Sequence, residues 1–358
     1  MVKLPGFLLV LLIIGLCHAT HAQQFRLETR GNFGFIIPHR VGVSHLIKGH
    51  VRSGELSIEK ETSGDKFWQY KWRYPRVGLT YFFADLANPS QLGYAMALFP
   101  HIKFPVYSSN RFNTSIRVGG GLGYVTKRFD PVDNYKNVMV GSSMNIVANI
   151  VGECSYKISN RVSASAGLGF MHYSNGAFTI PNLGINIPSV TAAVNYRIGS
   201  EIVRIAPDSI PESDKYAFMA YGTFGLKENY PISSNKFPVF AATAELSRQF
   251  GYRSRLITNL DVFHNRALRP SATEQGLSAD INITQVGFMV GYGLVVDRLT
   301  MVVGQGIYAV AKYKEDGQFY HRLGVTYMAS KRLGLRWMLK THFFKADCFE
   351  FGLGYRIL

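Results

Sequence analysis

Short segments in which apolar and polar residues alternate recur along this sequence, and they constrain its fold more than any other feature. In the segment 333–343, one set of alternate positions carries Leu333, Leu335, Trp337, Leu339 and Phe343, and the other set carries the basic residues Arg336, Lys340 and His342. Residues two apart in a β-strand point to the same side of a sheet. The pattern therefore predicts an all-β chain whose strands each have one apolar and one polar face.

The N-terminal segment has the features of a secretory signal peptide. Lys3 precedes an apolar run at 7–16, and the small residue Ala22 marks a cleavage position. The run is about ten residues long, whereas a transmembrane helix needs about 20. We therefore expect residues 1–22 to be removed and the mature chain, residues 23–358, to be exported.

An exported chain of short alternating strands is typical of a bacterial outer-membrane protein. No other apolar run approaches the length of a membrane-spanning helix, and the sequence is rich in glycine (35 residues) and in aromatic residues (13%). We therefore expect a transmembrane antiparallel β-barrel in the outer membrane, formed as a single domain by residues 23–358, although a chain of this length could also form two small barrels. The expected number of strands is about 14 to 16, within the range of bacterial barrels.

The expected strands are irregular near the start of the chain and regular near its end. The first candidate is the segment FGFIIPHR at 33–40, and the second ends in ELSIEK at 55–60. A polar loop follows Gly199 and extends to Lys215. Eight further strands are expected after this loop, at 218–226, 240–246, 256–262, 284–294, 301–311, 323–327, 333–343 and 349–357.

The formal net charge of +16 indicates an anionic partner. A basic protein often binds nucleic acid, but an exported barrel has no access to it. The expected partner is therefore the membrane itself, through an anionic lipid surface or a phosphorylated lipid headgroup. Alternatively, the surplus lysine and arginine side chains line the lumen and the rim of the barrel.

The stretch 162–199 carries the side chains that stand out chemically. Its first strand places His172 and Ser174 on the same, more apolar side as Leu168 and Phe170, near the strand end. A serine hydroxyl becomes an effective nucleophile when a neighbouring histidine takes its proton. Because side chains two apart on one strand face can converge, Ser174 is a candidate nucleophile and His172 its candidate base.

Three asparagines that follow complete this candidate site. Asn186, on the next strand, can accept a hydrogen bond from the His172 ring through its amide oxygen and so fix the tautomer of the imidazole. Asn175 and Asn182 can supply hydrogen-bond donors to a developing oxyanion. Strand geometry thus assembles a Ser-His-Asn arrangement from one short stretch of chain.

The same residues also fit a purely structural role. Asn175 and Asn182 occur in the dipeptides Asn-Gly and Pro-Asn, which mark turns. His172 and Ser174 would then lie in a girdle where polar side chains meet lipid headgroups. The other histidines, His39 among them, are scattered without metal-site spacing, so we expect no catalytic metal.

Two motifs resemble a known family of outer-membrane enzymes. HYSNG at 172–176 and PNLGIN at 181–186 are similar to motifs of the lipid A 3-O-deacylase (PagL) family, including its longer acyloxyacyl-hydrolase-like members. Upstream segments such as GGGLGYVTKRFD, from Gly119, support the resemblance. It covers residues 32–199, and residues 200–358 would form additional strands.

The resemblance implies specific roles for the candidate residues. Ser174 would be the nucleophile, His172 the base, and Asn182 with Asn175 the support for the oxyanion. Short members of the family carry Glu where this chain has Asn186. The amide can still orient His172, but it lacks the negative charge that stabilises an imidazolium.

Outer-membrane phospholipase A is a second enzyme that the motif resembles. It also has H-x-S-N-G, and it uses Asn as its third member at the offset that separates His172 from Asn186. That enzyme binds calcium at its dimer interface. The present sequence has no convincing carboxylate for such a site, so no cofactor is expected and calcium is kept only as an alternative.

The sequence therefore predicts an outer-membrane lipid esterase that removes an ester-linked acyl chain from lipid A, the membrane anchor of lipopolysaccharide, by a Ser-His-Asn mechanism. One alternative is an outer-membrane phospholipase A with a phospholipid substrate. The other is a non-catalytic porin or transport barrel.

Overall fold

The computed structural model describes residues 25–210, 214–230, 232 and 235–358. The expected signal peptide, residues 1–22, lies outside these ranges. Within them the chain forms sixteen β-strands: β1 Phe25–Gly34, β2 Val51–Glu61, β3 Arg76–Asp85, β4 Tyr94–Ser108, β5 Phe112–Val125, β6 Met144–Lys157, β7 Val162–Ser174, β8 Ile185–Ile198, β9 Tyr216–Glu228, β10 Lys236–Phe250, β11 Ser254–Asn265, β12 Thr284–Val296, β13 Leu299–Ala311, β14 Phe319–Met328, β15 Leu333–His342 and β16 Lys345–Arg356.

Three short helices lie in the loops of the described chain. They are a 3-10 helix at Val41–Leu46, α1 at Phe67–Lys71 and α2 at Leu268–Glu274. No helix in the described ranges combines the length and the hydropathy that a membrane-crossing helix needs.

The strands close into two separate antiparallel barrels of eight strands each. In the first barrel β1 pairs with β8, so that Gly34 lies opposite Ser189. In the second barrel β9 pairs with β16, so that Phe224 lies opposite Phe351. The all-β antiparallel class is confirmed, and sixteen strands lie within the expected number.

The expected single barrel is wrong, because the sheet closes twice. Alternation shows which residues form strands and which face each residue takes, but closure depends on hydrogen bonds between strands that are distant in sequence. The β1–β8 pairing joins Phe25 to Ile198 and is invisible in the local pattern. The chain between β8 and β9, from Gly199 to Lys215, connects the two barrels.

The first strand also differs from the expectation. The segment FGFIIPHR was expected to be a strand, but β1 is Phe25–Gly34 and residues 35–40 form none. The inward face of β1 carries Glu28, Arg30 and Asn32, all buried. Between Leu27 and Phe33 its outer face carries the polar Thr29 and the small Gly31, so the apolar face is interrupted in the sequence.

Ion pairs between buried side chains fill the interior of the first barrel. Lys103 Nζ lies 2.6 Å from a Glu28 carboxylate oxygen, 2.8 Å from Glu59 and 3.0 Å from Glu153. Arg30 also pairs with Glu153. Eight strands enclose a space that side chains can fill completely, so this barrel has a packed interior rather than a pore.

The second barrel is filled in the same way. Arg322 lies 2.8 Å from Asp261 and also pairs with Glu350, and these three side chains are buried. Lys340 Nζ lies 3.1 Å from Asp347. Both barrels are therefore closed, polar-cored units with apolar outer faces.

The two ends of the barrels differ in their connections. One end, called the site end below, carries the loops 35–50, 126–143, 175–184 and 266–283. The opposite end carries mostly short turns, 109–111, 158–161, 251–253, 297–298 and 329–332, together with the longer segments 62–75 and 199–215. At the site end of the first barrel the loops cover an apolar cluster that includes Ile36, Leu46, Met139 and Tyr173.

The barrels touch each other near both ends. At the site end, Glu228 N donates to Ala177 O at 2.9 Å. At the opposite end, Trp72 Nε1 donates to Val295 O at 3.0 Å, and the Arg253 guanidinium lies 4.8 Å from the centre of a Trp72 ring. The second barrel thus lies beside the strands and loops of the first barrel that carry the candidate site.

Candidate active site

The end of β7 places His172 and Ser174 on the outer side of the first barrel. Leu168, on the same face, is 68% exposed, whereas Met171 and Tyr173 on the other face are buried in the interior. The strand pairs with β6 on one side and β8 on the other, which fixes its register. The two candidate side chains therefore lie outside the lumen, on the face that the alternation predicts.

The β7–β8 register brings His172 and Asn186 together. They are paired residues of the ladder, and His172 Nδ1 lies 2.6 Å from Asn186 Oδ1. Because an amide oxygen can only accept, the imidazole proton is on Nδ1 and Nε2 is the basic nitrogen. The structure thus contains the His-Asn contact that the sequence predicts.

Two donors are directed at the hydroxyl of Ser174. Asn182 Nδ2 donates to Ser174 Oγ at 2.9 Å, and the backbone N–H of Gly176 donates to the same oxygen at 3.2 Å. Ser174 is only 5% exposed. Within the described residues no hydrogen bond joins His172 to Ser174, and the hydrogen bonds of Ser174 Oγ are those from Asn182 and Gly176.

The structure gives Asn175 a different position from the other candidates. Its side-chain Nδ2 donates to Ser142 Oγ at 2.8 Å and to Thr179 O at 2.9 Å, within the loops of the site end. Its backbone N–H donates to Asn182 Oδ1 at 3.1 Å, which orients that amide with its nitrogen toward Ser174. Asn175 therefore supports the site through the backbone, and the second donor to Ser174 Oγ comes from Gly176.

His39 is a further member of the cluster that sequence reasoning missed. Asn186 Nδ2 lies 3.2 Å from His39 Nδ1, and His39 Nε2 lies 2.8 Å from the carbonyl oxygen of Leu183. A His39 tautomer protonated on Nε2 satisfies these two contacts, because it donates to Leu183 O and accepts from Asn186. Nδ1 also lies 3.1 Å from the carbonyl oxygen of Ile37, and this tautomer has no proton to donate there. His39 and Asn186 are 147 positions apart, so no local pattern connects them.

Two glycines leave room for this arrangement. Gly184 has φ +80°, and a Cβ there would lie 3.0 Å from Cε1 of His172. Gly176 has φ +62°, and a Cβ there would lie 2.4 Å from the ring of Phe349 in the second barrel. Both positions need the backbone freedom and the small volume of glycine.

The described residues contain no group of three or more His, Cys, Asp or Glu side chains arranged to hold a metal ion.

A family model matches each of the two barrels. The family model for lipid A 3-O-deacylase (PagL) matches residues 52–195, and the model for the acyloxyacyl hydrolase, C-terminal domain, matches residues 214–358. No curated protein matches the chain. Ser174, His172, Asn182 and Asn186 all lie within the first match.

Two solved structures similar to the chain share low sequence identity with it. A crystal structure of Neisserial surface protein A is 11% identical and covers 48% of this chain and 96% of its own, with a TM-score of 0.34. A mutant of the Rh. blastica porin is 12% identical and covers 93% of this chain and 99% of its own, with a TM-score of 0.18. With one family model on each barrel, the chain belongs to the lipid A 3-O-deacylase (PagL) family, in a form that carries the acyloxyacyl hydrolase C-terminal domain.

Proposed function

We propose that this protein is an outer-membrane lipid A deacylase, which hydrolyses an ester-linked acyl chain with Ser174 as nucleophile. Family membership supports hydrolysis of lipid A. The single observation that carries the mechanism is the outward-facing cluster in which Asn186 holds His172 while Asn182 and Gly176 N direct donors at Ser174 Oγ. Serine, imidazole and oxyanion donors are the elements of acyl transfer.

In the first half-reaction, the ester carbonyl oxygen takes over the hydrogen bonds that Asn182 Nδ2 and Gly176 N give to Ser174 Oγ. The freed hydroxyl turns to His172 Nε2, which accepts its proton as Oγ attacks the carbonyl carbon. The two donors stabilise the negative oxygen of the tetrahedral intermediate. His172 then gives the proton to the sugar oxygen, which leaves as an alcohol, and the acyl group remains on Ser174.

In the second half-reaction, water replaces the sugar. His172 Nε2 takes a proton from the water as it attacks the acyl carbon, and the same two donors hold the second tetrahedral intermediate. Collapse releases the fatty acid and returns the proton to Ser174. Asn186 keeps the Nδ1 proton of His172 in place throughout, so that Nε2 alone exchanges protons.

The end of the barrel that carries the site supports a substrate in the outer leaflet. Outer-membrane barrels have longer loops outside the cell and shorter turns on the periplasmic side. The site lies between β7 and β8 at the site end, where most of the longer loops are. With this orientation, Ser174 would lie in the leaflet that contains lipopolysaccharide.

The loops of the first barrel at this end carry basic residues suited to lipid A phosphates. Their lysines and arginines are exposed and form no ion pair among the described residues: Arg40, Lys48, Lys127, Arg128 and Lys136. Each cation near an anionic membrane surface contributes about 1 kcal/mol of attraction. These side chains would hold the phosphorylated sugar while an acyl chain lies beside the barrel.

The experiment that tests this function compares lipid A from cells that express the wild-type protein, the Ser174→Ala variant or an empty vector. We expect the wild type to produce lipid A lighter by one acyl chain in mass spectrometry, and Ser174→Ala to match the empty vector. Unchanged lipid A with the folded wild type would contradict the proposal.

Phospholipase A activity is a second candidate, favoured by one observation: the third member of the cluster is the amide of Asn186 rather than a carboxylate. The same lipid extracts decide between the two, because a phospholipase would generate lysophospholipid and leave lipid A intact. A porin or transport function is disfavoured by the packed interiors, where Lys103 and Arg322 are buried among carboxylates.

A further inference from the structure

A groove separates the two barrels immediately beside the candidate site. It has a volume of about 260 Å³, close to the lower limit of about 300 Å³ for small-molecule sites. Outward-facing apolar side chains of both barrels line it: Leu122, Met144, Ile146 and Phe178 from the first, and Phe224, Leu226, Phe349 and Phe351 from the second. The buried residues Asn145 and Asn175 and the backbone of Gly225 complete the lining. It is therefore a feature of the two-barrel chain.

Two short contacts connect the groove to the nucleophile. Gly176 N donates to Ser174 Oγ, and Gly176 itself packs against the ring of Phe349, where there is no room for a Cβ. Ile146, which lines the groove, is the residue paired with Ser174 in the β6–β7 ladder. A chain attached to a carbonyl at Ser174 thus has the mouth of the groove next to it.

The contacts between the barrels fix the second wall close to the site. Besides the Glu228 N to Ala177 O hydrogen bond, Lys236 Nζ donates to Thr179 Oγ1 at 3.0 Å and lies 4.9 Å from the centre of the Phe178 ring. All of these contacts involve the loop 175–184, which also carries Asn182. The second barrel therefore holds the loop of the site as well as the wall of the groove.

The residues that line the groove indicate which class of ligand it can bind. Asn145 and Asn175 are the polar lining residues, and their side-chain nitrogens donate within the loops, to Ser142. The rest of the lining is aliphatic, aromatic or glycine. An unbranched hydrocarbon chain satisfies such a surface, at about 0.8 kcal/mol for each methylene removed from water.

We propose that the groove is the binding site for the acyl chain that is cut, with the second barrel supplying one of its two walls. The inference rests on the proposed function and extends it, because it makes residues of β9 and β16 determinants of acyl-chain length. The carbonyl lies at Ser174 while the chain extends between the barrels along Phe349 and Leu226.

The test fills the groove from the second barrel, away from the catalytic residues. Leu226→Trp adds bulk to the wall, and Leu260→Trp is the matched control, because Leu260 is an exposed outward residue of β11 that does not line the groove. Purified full-length protein in detergent is assayed on p-nitrophenyl esters with acyl chains of 4, 8, 12 and 16 carbons. Resistance of the folded barrels to SDS without heating verifies folding.

We expect Leu226→Trp to lower kcat/KM for the 12- and 16-carbon esters by about tenfold and to leave the 4-carbon ester within twofold, while Leu260→Trp keeps the wild-type profile. An equal effect on every chain length, or none, would overturn the groove proposal and leave the deacylase intact. Failure of the wild type on both the esters and lipid A would instead remove the proposed function.

A complementary variant widens the groove. Phe351→Ala removes a wall residue, and Phe288→Ala removes an equally outward aromatic of β12 that lies outside the groove. We expect Phe351→Ala to reduce the preference for long over short chains by about tenfold and Phe288→Ala to keep it. If both variants behave alike, the effect comes from the barrel surface in general and the proposal is wrong.

Discussion

Asn186 lies opposite His172 in the β7–β8 ladder, and its amide oxygen is 2.6 Å from Nδ1 of the imidazole. Asn186 orients His172 through a hydrogen bond alone, whereas a carboxylate at this position would contribute both a hydrogen bond and a negative charge. The amide fixes the tautomer but adds no negative charge to stabilise the imidazolium that forms when the base takes a proton. Because this charge is missing, we expect substitutions of Asn186 to change kcat measurably.

Replacing Asn186 separates orientation from charge. We expect Asn186→Leu, which removes the acceptor, to lower kcat about 10²-fold because the ring loses its orientation. We expect Asn186→Asp to raise kcat about tenfold, because the carboxylate stabilises the imidazolium. Steady-state kinetics on one ester substrate measure both changes, and a loss in the Asp variant as large as that in Leu would contradict this role.

His39 is expected to position Asn186 rather than to touch substrate. Its ring accepts from Asn186 Nδ2 and donates to Leu183 O, so His39→Ala leaves the amide of Asn186 free to rotate. We expect kcat to fall about tenfold, with KM unchanged. His39→Gln should recover most of the activity, because its amide both accepts and donates.

A matched control for His39 is available in the same loop. His50 packs against Phe33 with ring centres 4.8 Å apart and has no contact with the cluster described above. His50→Ala should therefore keep the wild-type kcat. If it loses as much activity as His39→Ala, the effect is one of loop packing and the positioning role is wrong.

The strands were largely predictable because apolar residues on the outer wall of a barrel alternate in sequence with polar residues on its inner face. All eight strands expected after Gly199 occur in the structure, within a few residues of their expected limits. The double closure was not predictable, since β1–β8 and β9–β16 pairing leaves no trace in period-two patterns. β1 escaped detection because Thr29 and Gly31 interrupt the apolar pattern of its outer face.

Some residues of the site come from one local segment, and others come from distant parts of the chain. His172, Ser174, Asn182 and Asn186 lie within one strand–loop–strand unit, so strand geometry alone was sufficient to place them together. The partners that the sequence did not reveal come from elsewhere: His39 from the loop before β2, and Phe349 from the second barrel. Gly176 was missed for another reason, since it contributes a backbone N–H and no side chain.

Asn182 provides a test of the oxyanion donors. Its amide has two functions, because Nδ2 donates to Ser174 Oγ while Oδ1 accepts from Asn175 N. Asn182→Asp keeps the acceptor and removes the donor, so the loop retains its hydrogen bond. We expect kcat to fall about 10²- to 10³-fold with KM within threefold, as for the loss of one oxyanion-hole donor.

The comparison with Asn182→Ala makes this prediction specific. Alanine removes both functions without adding a negative charge beside the oxyanion, so it should also lower kcat and in addition weaken the loop. If Asn182→Asp retains the wild-type kcat while Asn182→Ala does not, Asn182 orders the loop and is not an oxyanion donor. Single-turnover measurement of acyl-enzyme formation locates the defect in the chemical step.

The packed interior predicts a large stability cost far from the site. Glu153 is buried, pairs with Arg30, and lies 3.0 Å from Lys103 Nζ, so Glu153→Gln removes one carboxylate from a buried network in which Arg30 and Lys103 share Glu28, Glu55, Glu59 and Glu153. Removing one member of such a network costs about 3–5 kcal/mol of the free energy of unfolding. Glu201→Gln is the control, because its carboxylate is 66% exposed and lies 3.7 Å from Arg197, and an exposed pair contributes at most about 1 kcal/mol. Urea unfolding of the two variants in detergent micelles should therefore give clearly separated midpoints. Equal midpoints would mean that water enters the first barrel and screens these charges, which would restore the open-pore interpretation that the packed interior argues against.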